Sequence, residues 1–215
     1  MPIEKKLADE LQIKKARLQD TVMEAVYRLI PSAVLHGGTA IWRCYSGNRF
    51  SDDLDLYLKE KDIVRLRDNL TWELRRYDAR INKATVVGDS TVIDIEGEGV
   101  RLKLEAGPSR GKIKPIEKNY EKTDGTFISI VSLSPEDFMY EKMNAYSSRR
   151  YVRDIYDIYH LSSIADPDRK LRKGLCSFLK NIKEPVDENV LGSIIYSGSV
   201  PSFEGMVSEI SRRFC

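Results

Sequence analysis

The sequence predicts an α/β (α+β) fold, with a small mixed sheet and flanking helices over residues 1–133 and a helical part over residues 134–215. Three observations carry this reading. Short runs alternate apolar and polar residues, above all Leu54-Asp55-Leu56-Tyr57-Leu58, as a half-buried strand does. Longer stretches repeat apolar residues at helical spacing, as in Leu7, Leu11, Leu18, Val22, Val26 and Leu29. Beyond Ser134 the pattern is helical throughout. With 215 residues and 41% hydrophobic content, the chain can bury a real core as one large domain or two small ones.

Residues 3–30 form one long helix or two shorter ones, and Pro31 stops the pattern. Residues 33–36 read as a short buried strand running into Gly37-Gly38, and Thr39–Tyr45 as a helix broken by Gly47 and Asn48. The strand at 54–58 follows, then helical spacing over 60–80. Residues 91–96 and 99–105 alternate on either side of Gly97-Glu98-Gly99 and predict a β-hairpin. Residues 106–125 read as a basic loop, which includes Arg110, Lys112, Lys114, Lys118 and Lys122, and 126–132 as a last strand. Ser134-Pro135-Glu136-Asp137 has the form of a helix start, with a capping serine followed by proline in the first turn.

The net charge of +2 does not by itself argue for a nucleic-acid partner. The three cysteines, Cys44, Cys176 and Cys215, are odd in number and widely spaced, so reduced thiols in a cytoplasmic protein are expected rather than a disulfide framework or a zinc site. No apolar run approaches a membrane span and no secretory leader is visible, so no membrane partner is expected. With two histidines, a histidine-based metal site is not expected either.

Asp53 and Asp55 stand two apart on a strand and so share a face, while Leu54, Leu56 and Leu58 fill the other. Two adjacent carboxylates repel, and a divalent cation reverses that cost. Taken alone, Asp-x-Asp is short and common, and two ordinary surface acids are the better reading. Gly37-Gly38 lies between a strand and a helix, where glycine lets backbone approach a ligand and the helix N-terminus suits phosphate. Thr39 adds a hydroxyl; taken alone, this stretch is a tight turn.

Joined, the stretch from His36-Gly37-Gly38-Thr39-Ala40 to Arg49-Phe50-Ser51-Asp52-Asp53-Leu54-Asp55 resembles the signature of the polymerase-beta-like nucleotidyltransferase superfamily, and more narrowly of the AbiEii/AbiGii toxin family. The resemblance implies that Gly37, Gly38 and Thr39 hold a nucleoside triphosphate, that Asp53 and Asp55 bind Mg2+ (or Mn2+), and that Arg49 and Ser51 support the loop or the phosphates. Superfamily members add a third acid on a neighbouring strand; Glu105 is the candidate, with Asp94 and Glu96 behind it. An exposed sheet face explains these three equally well.

A second constellation lies in the helical part. Lys142 shares a helical face with Phe138 and Tyr146, where a lysine either meets an anion or packs its stem and reaches water. Asp154 and Asp157 follow Arg150 and Arg153 by four residues, which reads as two surface salt bridges. The family also carries a Glu-Lys-hydrophobic-x-Ala segment and an Arg-Asp-x-x-Asp segment, matched by Glu141–Ala145 and Arg153–Asp157. The resemblance implies that Lys142 contacts phosphate and that the group Arg153, Asp154 and Asp157 belongs to the active site, Asp154 first among them.

The implied activity is metal-dependent transfer of a nucleotide from a triphosphate to an RNA, such as a tRNA end, or to a protein. The implied role is the toxin of a toxin–antitoxin or phage-defence pair, with a cognate antitoxin as partner. A housekeeping nucleotidyltransferase and a non-catalytic nucleotide- or protein-binding module are the rival readings.

Overall fold

The computed structural model describes every residue except Arg110 and Lys112, and it resolves the helical spacing of residues 3–30 into one helix, α1 (Glu10–Leu29), behind a 3-10 turn at Ile3–Lys5. Asp9 caps α1 by accepting the Leu11 N–H at 2.9 Å, and Ala16, Leu18, Val22, Met23 and Val26 form its buried stripe. The chain divides into two compact units, Met1–Ser46 with Phe50–Ser132, and Gly47–Arg49 with Leu133–Cys215.

The first unit is α/β. Its elements run α1, β1 (Val34–His36), α2 (Gly37–Cys44), β2 (Leu54–Tyr57), α3 (Glu60–Leu74), β3 (Arg80–Val87), β4 (Ser90–Gly97), β5 (Val100–Gly107), β6 (Ile116–Glu121) and β7 (Phe127–Ser132). Among the described residues the seven strands form one mixed sheet in the order β3-β4-β5-β2-β1-β7-β6. β2 pairs parallel to β5 and antiparallel to β1, and β1 pairs parallel to β7. One face of β4 and β5 buries Ile93, Ile95, Leu102 and Leu104, with α1 and α3 packed on the sheet and Leu66, Leu70 and Leu74 of α3 in the core. The opposite face carries the polar residues of the same strands, only partly buried.

The β4–β5 hairpin turns on Glu98 (φ 52°) and Gly99 (φ 76°), two left-handed residues as a tight hairpin turn requires. Two strands depart from the sequence expectation. β3 was not foreseen, and β6 crosses what read as a basic loop; that loop's Arg110 and Lys112 lie outside the described residues. Both are edge strands. β3 is exposed along nearly its whole length, and β6 fully buries only Tyr120, so neither has the apolar face that produces visible alternation.

The second unit is helical, with α4 (Pro135–Arg149), α5 (Val152–Leu161), α6 (Arg169–Lys180), α7 (Leu191–Ile194) and α8 (Phe203–Phe214). Ser134 caps α4, its hydroxyl accepting the Asp137 N–H at 3.1 Å, with Pro135 in the first turn. Residues 47–49 belong to this unit. Arg49 forms a β-bridge with Ile195, and Tyr196 donates its N–H to the Asn48 carbonyl at 3.1 Å and its hydroxyl to the Gly47 carbonyl at 2.7 Å.

Cys176 and Cys215 are joined by a disulfide, which corrects the expectation of reduced thiols at these positions. The pair is 39 residues apart and comes together because α8 packs back against α6, which spacing in the sequence does not show. Cys44 remains a thiol, and burial pushes its pKa up to about 12. No helix among the described residues is long and apolar enough to cross a membrane.

Candidate functional site

In the α/β unit the candidate residues gather on the polar face of the sheet where β1, β2 and β5 meet. Asp53 stands one residue before β2, and Asp55 lies within it. The register sets His36 opposite Asp55 on one side and Glu105 opposite Asp55 on the other, so the Asp55 and Glu105 side chains leave the same face of adjacent strands. His36 and Tyr57 stack beside them, ring centroids 3.7 Å apart. Asp94 and Glu96 lie further out on β4, opposite Lys103 and Arg101, and Glu96 pairs with Arg80 at 2.9 Å.

Gly37 opens α2 with φ 74°, a left-handed conformation, directly against this group. A Cβ at Gly37 would stand 2.2 Å from the Asp55 Oδ2, so only glycine leaves the carboxylate in place. Gly38 and Thr39 are buried in the first turn of α2. The Thr39 hydroxyl donates to the Asp53 carbonyl at 2.6 Å, tying α2 to the start of β2. Ser51 is held through its backbone, its carbonyl accepting from the Gln19 amide at 2.8 Å.

The Asp53 carboxyl is perturbed. Burial raises it above the ordinary range, Lys103 pulls it down, and the charges of Asp55 and Asp52 push it up again, leaving a net rise. The Lys103 Nζ lies 3.3 Å from the Asp53 Oδ2.

The helical unit holds a chain of buried charges. Asp157 accepts both arms of the Arg49 guanidinium at 2.6 Å each and pairs with the Lys142 Nζ at 2.7 Å. Asp154 accepts two bonds from Arg149, each 2.8 Å, and lies 3.5 Å from the same Lys142 Nζ. Asp154 and Asp157 are 0% and 1% exposed, Arg49 4% and Lys142 6%, which places all four in the interior. Burial works to raise the Asp157 carboxyl, but Arg49 and Lys142 outweigh it and hold Asp157 below the ordinary carboxylate range. The expected surface pairs of Arg150 with Asp154 and Arg153 with Asp157 are therefore corrected. Arg150 leaves α4 in a left-handed conformation, and Arg153 stands over the Tyr151 ring.

The model of the nucleotidyl transferase AbiEii toxin family, type IV toxin–antitoxin system, matches residues 24–189, most of the chain. The chain belongs to this family. The fold agrees with two solved structures from Helicobacter pylori. JHP933 superimposes with a TM-score of 0.61 at 18% identity, over 93% of this chain and 90% of that one. A putative nucleotidyltransferase superimposes with a TM-score of 0.56 at 19% identity, over 92% of each chain. Curated proteins include no significant match to this chain.

The AbiEii family implies a divalent metal. Among the described residues no three acids, histidines or cysteines converge closely enough to hold one as they stand. The donor set nonetheless fits a hard cation. Asp53, Asp55 and Glu105 offer carboxylate oxygens on neighbouring strands, and the Gly37 cradle leaves Asp55 room. Lys103, which shares the polar face of β5 with Glu105, and the His36–Tyr57 stack were not singled out from the sequence. Neither belongs to a motif, and each follows from strand register alone.

Proposed function

We propose that this AbiEii-family chain is a metal-dependent nucleotidyltransferase that moves a nucleotide from a nucleoside triphosphate to an RNA, such as a tRNA end, or to a protein, as a toxin with a cognate antitoxin. The observation that carries the reading is the Gly37 cradle against Asp55, with Asp53 beside it and Glu105 in register across the strand pair. β2 and β5 present carboxylates, and α2 begins beside them at the end of β1. Gly37, Gly38 and the α2 N-terminus offer backbone N–H groups to phosphate oxygens. Thr39, buried and bonded to the Asp53 carbonyl, positions the acid rather than the substrate.

Asp53, Asp55 and Glu105 would hold Mg2+ or Mn2+, which supplies positive charge against the phosphate oxygens. The chain's own contribution is alignment and charge. An acceptor hydroxyl attacks the α-phosphorus in line, a new P–O bond forms, and the bond to pyrophosphate breaks. In the helical unit the Lys142 ammonium is buried and paired with Asp154 and Asp157, which fix its position. Arg49, closed in its bidentate bond to Asp157, serves to anchor residues 47–49.

The test is incubation of the protein with each of four radiolabelled triphosphates and a cell extract. The wild type labels RNA or protein from at least one triphosphate, and Asp53→Asn loses that labelling by about 100-fold or more, as for loss of a principal electrostatic group. Equal labelling by wild type and Asp53→Asn overturns the assignment. No labelling together with no ligand-induced rise in melting temperature favours a non-catalytic module.

A further inference from the structure

Lys103 projects from β5 on the polar face, two residues before Glu105. The β2–β5 register, with Leu54 opposite Leu104, brings it beside Asp53, and the β4–β5 register places it opposite Asp94. It therefore stands between acids. The contact is a single one, 3.3 Å to one carboxylate oxygen, with both side chains about two-fifths exposed at 42% and 41%. A lysine there is a hydrated point charge on a flexible stem. It offsets the mutual repulsion of Asp52, Asp53 and Asp55, and it leaves without breaking a buried bond. A divalent ion and an ammonium cannot share the same oxygen at low cost, because their like charges repel.

We propose that Lys103 is a built-in counter-ion of the Asp53–Asp55 site: it holds Asp53 while the site is empty, gives way to the divalent ion, and then meets the oxygens of the triphosphate. This rests on the metal-binding reading above. Lys103 is a positioning residue in the first state and a substrate contact in the second.

Direct Mn2+ binding to the full chain without nucleotide, by calorimetry or by the electron paramagnetic resonance signal of free Mn2+, tests the proposal at pH 8. A unit charge removed from about 3–4 Å in a water-like medium is worth roughly a fivefold change in affinity. Lys103→Met and Lys103→Gln should each bind Mn2+ about fivefold tighter than wild type, whereas Lys103→Arg should not. With Mn2+ saturating, the same two variants should bind a non-hydrolysable triphosphate several-fold more weakly than wild type. Unchanged or weaker Mn2+ binding by both variants, with the wild-type melting temperature kept, overturns the counter-ion role. Asp53→Asn separates the two levels of the argument. If it loses Mn2+ while Lys103→Met gains nothing, only the Lys103 proposal falls. If Asp53→Asn binds Mn2+ as wild type does, the metal-site reading falls with it.

Discussion

Asp157 shows how much one buried carboxylate controls. It accepts two bonds from Arg49 and one contact from Lys142, all three side chains being interior. Replacing it with asparagine removes the charge that faces both Arg49 and Lys142 and leaves Lys142 with Asp154 at 3.5 Å. Breaking a buried pair from one side typically costs about 3–5 kcal/mol. Asp157→Asn should therefore lower the denaturation midpoint strongly at neutral pH. The sign with pH follows from the lowered carboxyl. Its stabilisation is complete above the unfolded value, near about 3.9, and is lost as pH falls through the folded value. The gap in stability between wild type and Asp157→Asn should be constant above pH 5 and should close in more acid solution. A gap that does not narrow on acidification would show that Asp157 does not act through its charge.

At the scale of one element, the turn from β1 into α2 sets the site. Gly37 combines a left-handed φ of 74° with a Cβ position 2.2 Å from Asp55, so two separate costs meet at one residue. Gly88 has a φ of 63° with nothing within 4 Å of its Cβ position, and it isolates the first cost. Gly88→Ala should lose roughly 1 kcal/mol from backbone strain alone. Gly37→Ala should lose more, since it must also displace a carboxylate, and Mn2+ binding should fall with it. Urea unfolding and Mn2+ titration of the two variants measure this directly. Equal losses in both would mean that the closeness of Gly37 to Asp55 has no energetic weight.

For the molecule as a whole, the Cys176–Cys215 bond closes a loop of 39 residues around α7 and α8 of the helical unit. In the chain-entropy account a loop of that length stabilises by about 4 kcal/mol. Reducing agent should lower the unfolding midpoint of the helical unit, and Cys215→Ser should lower it equally and abolish the response to reductant. The α/β unit has no such bond among the described residues and gives the internal comparison. A midpoint indifferent to reductant, with both thiols titrating in the folded protein, would count against the bond.

The features legible along the chain were local ones. The alternation of Leu54–Leu58 and the stripe of α1 come from side chains that face one core, and the Ser134 cap comes from neighbours three residues apart. The Gly-Gly-Thr and Asp-x-Asp stretch was readable because its residues lie close together in the chain. β3 and β6 were not readable, since an edge strand with little buried surface leaves no period to detect. Which charge meets which is fixed by the folded packing. Arg49 binds Asp157 from 108 residues away, Asp154 takes Arg149 rather than Arg150, and Lys103 reaches Asp53 through the register of β2 on β5. An ion pair needs its partner within a few ångströms. Packing sets that distance, and packing is a property of the whole chain rather than of any window along it.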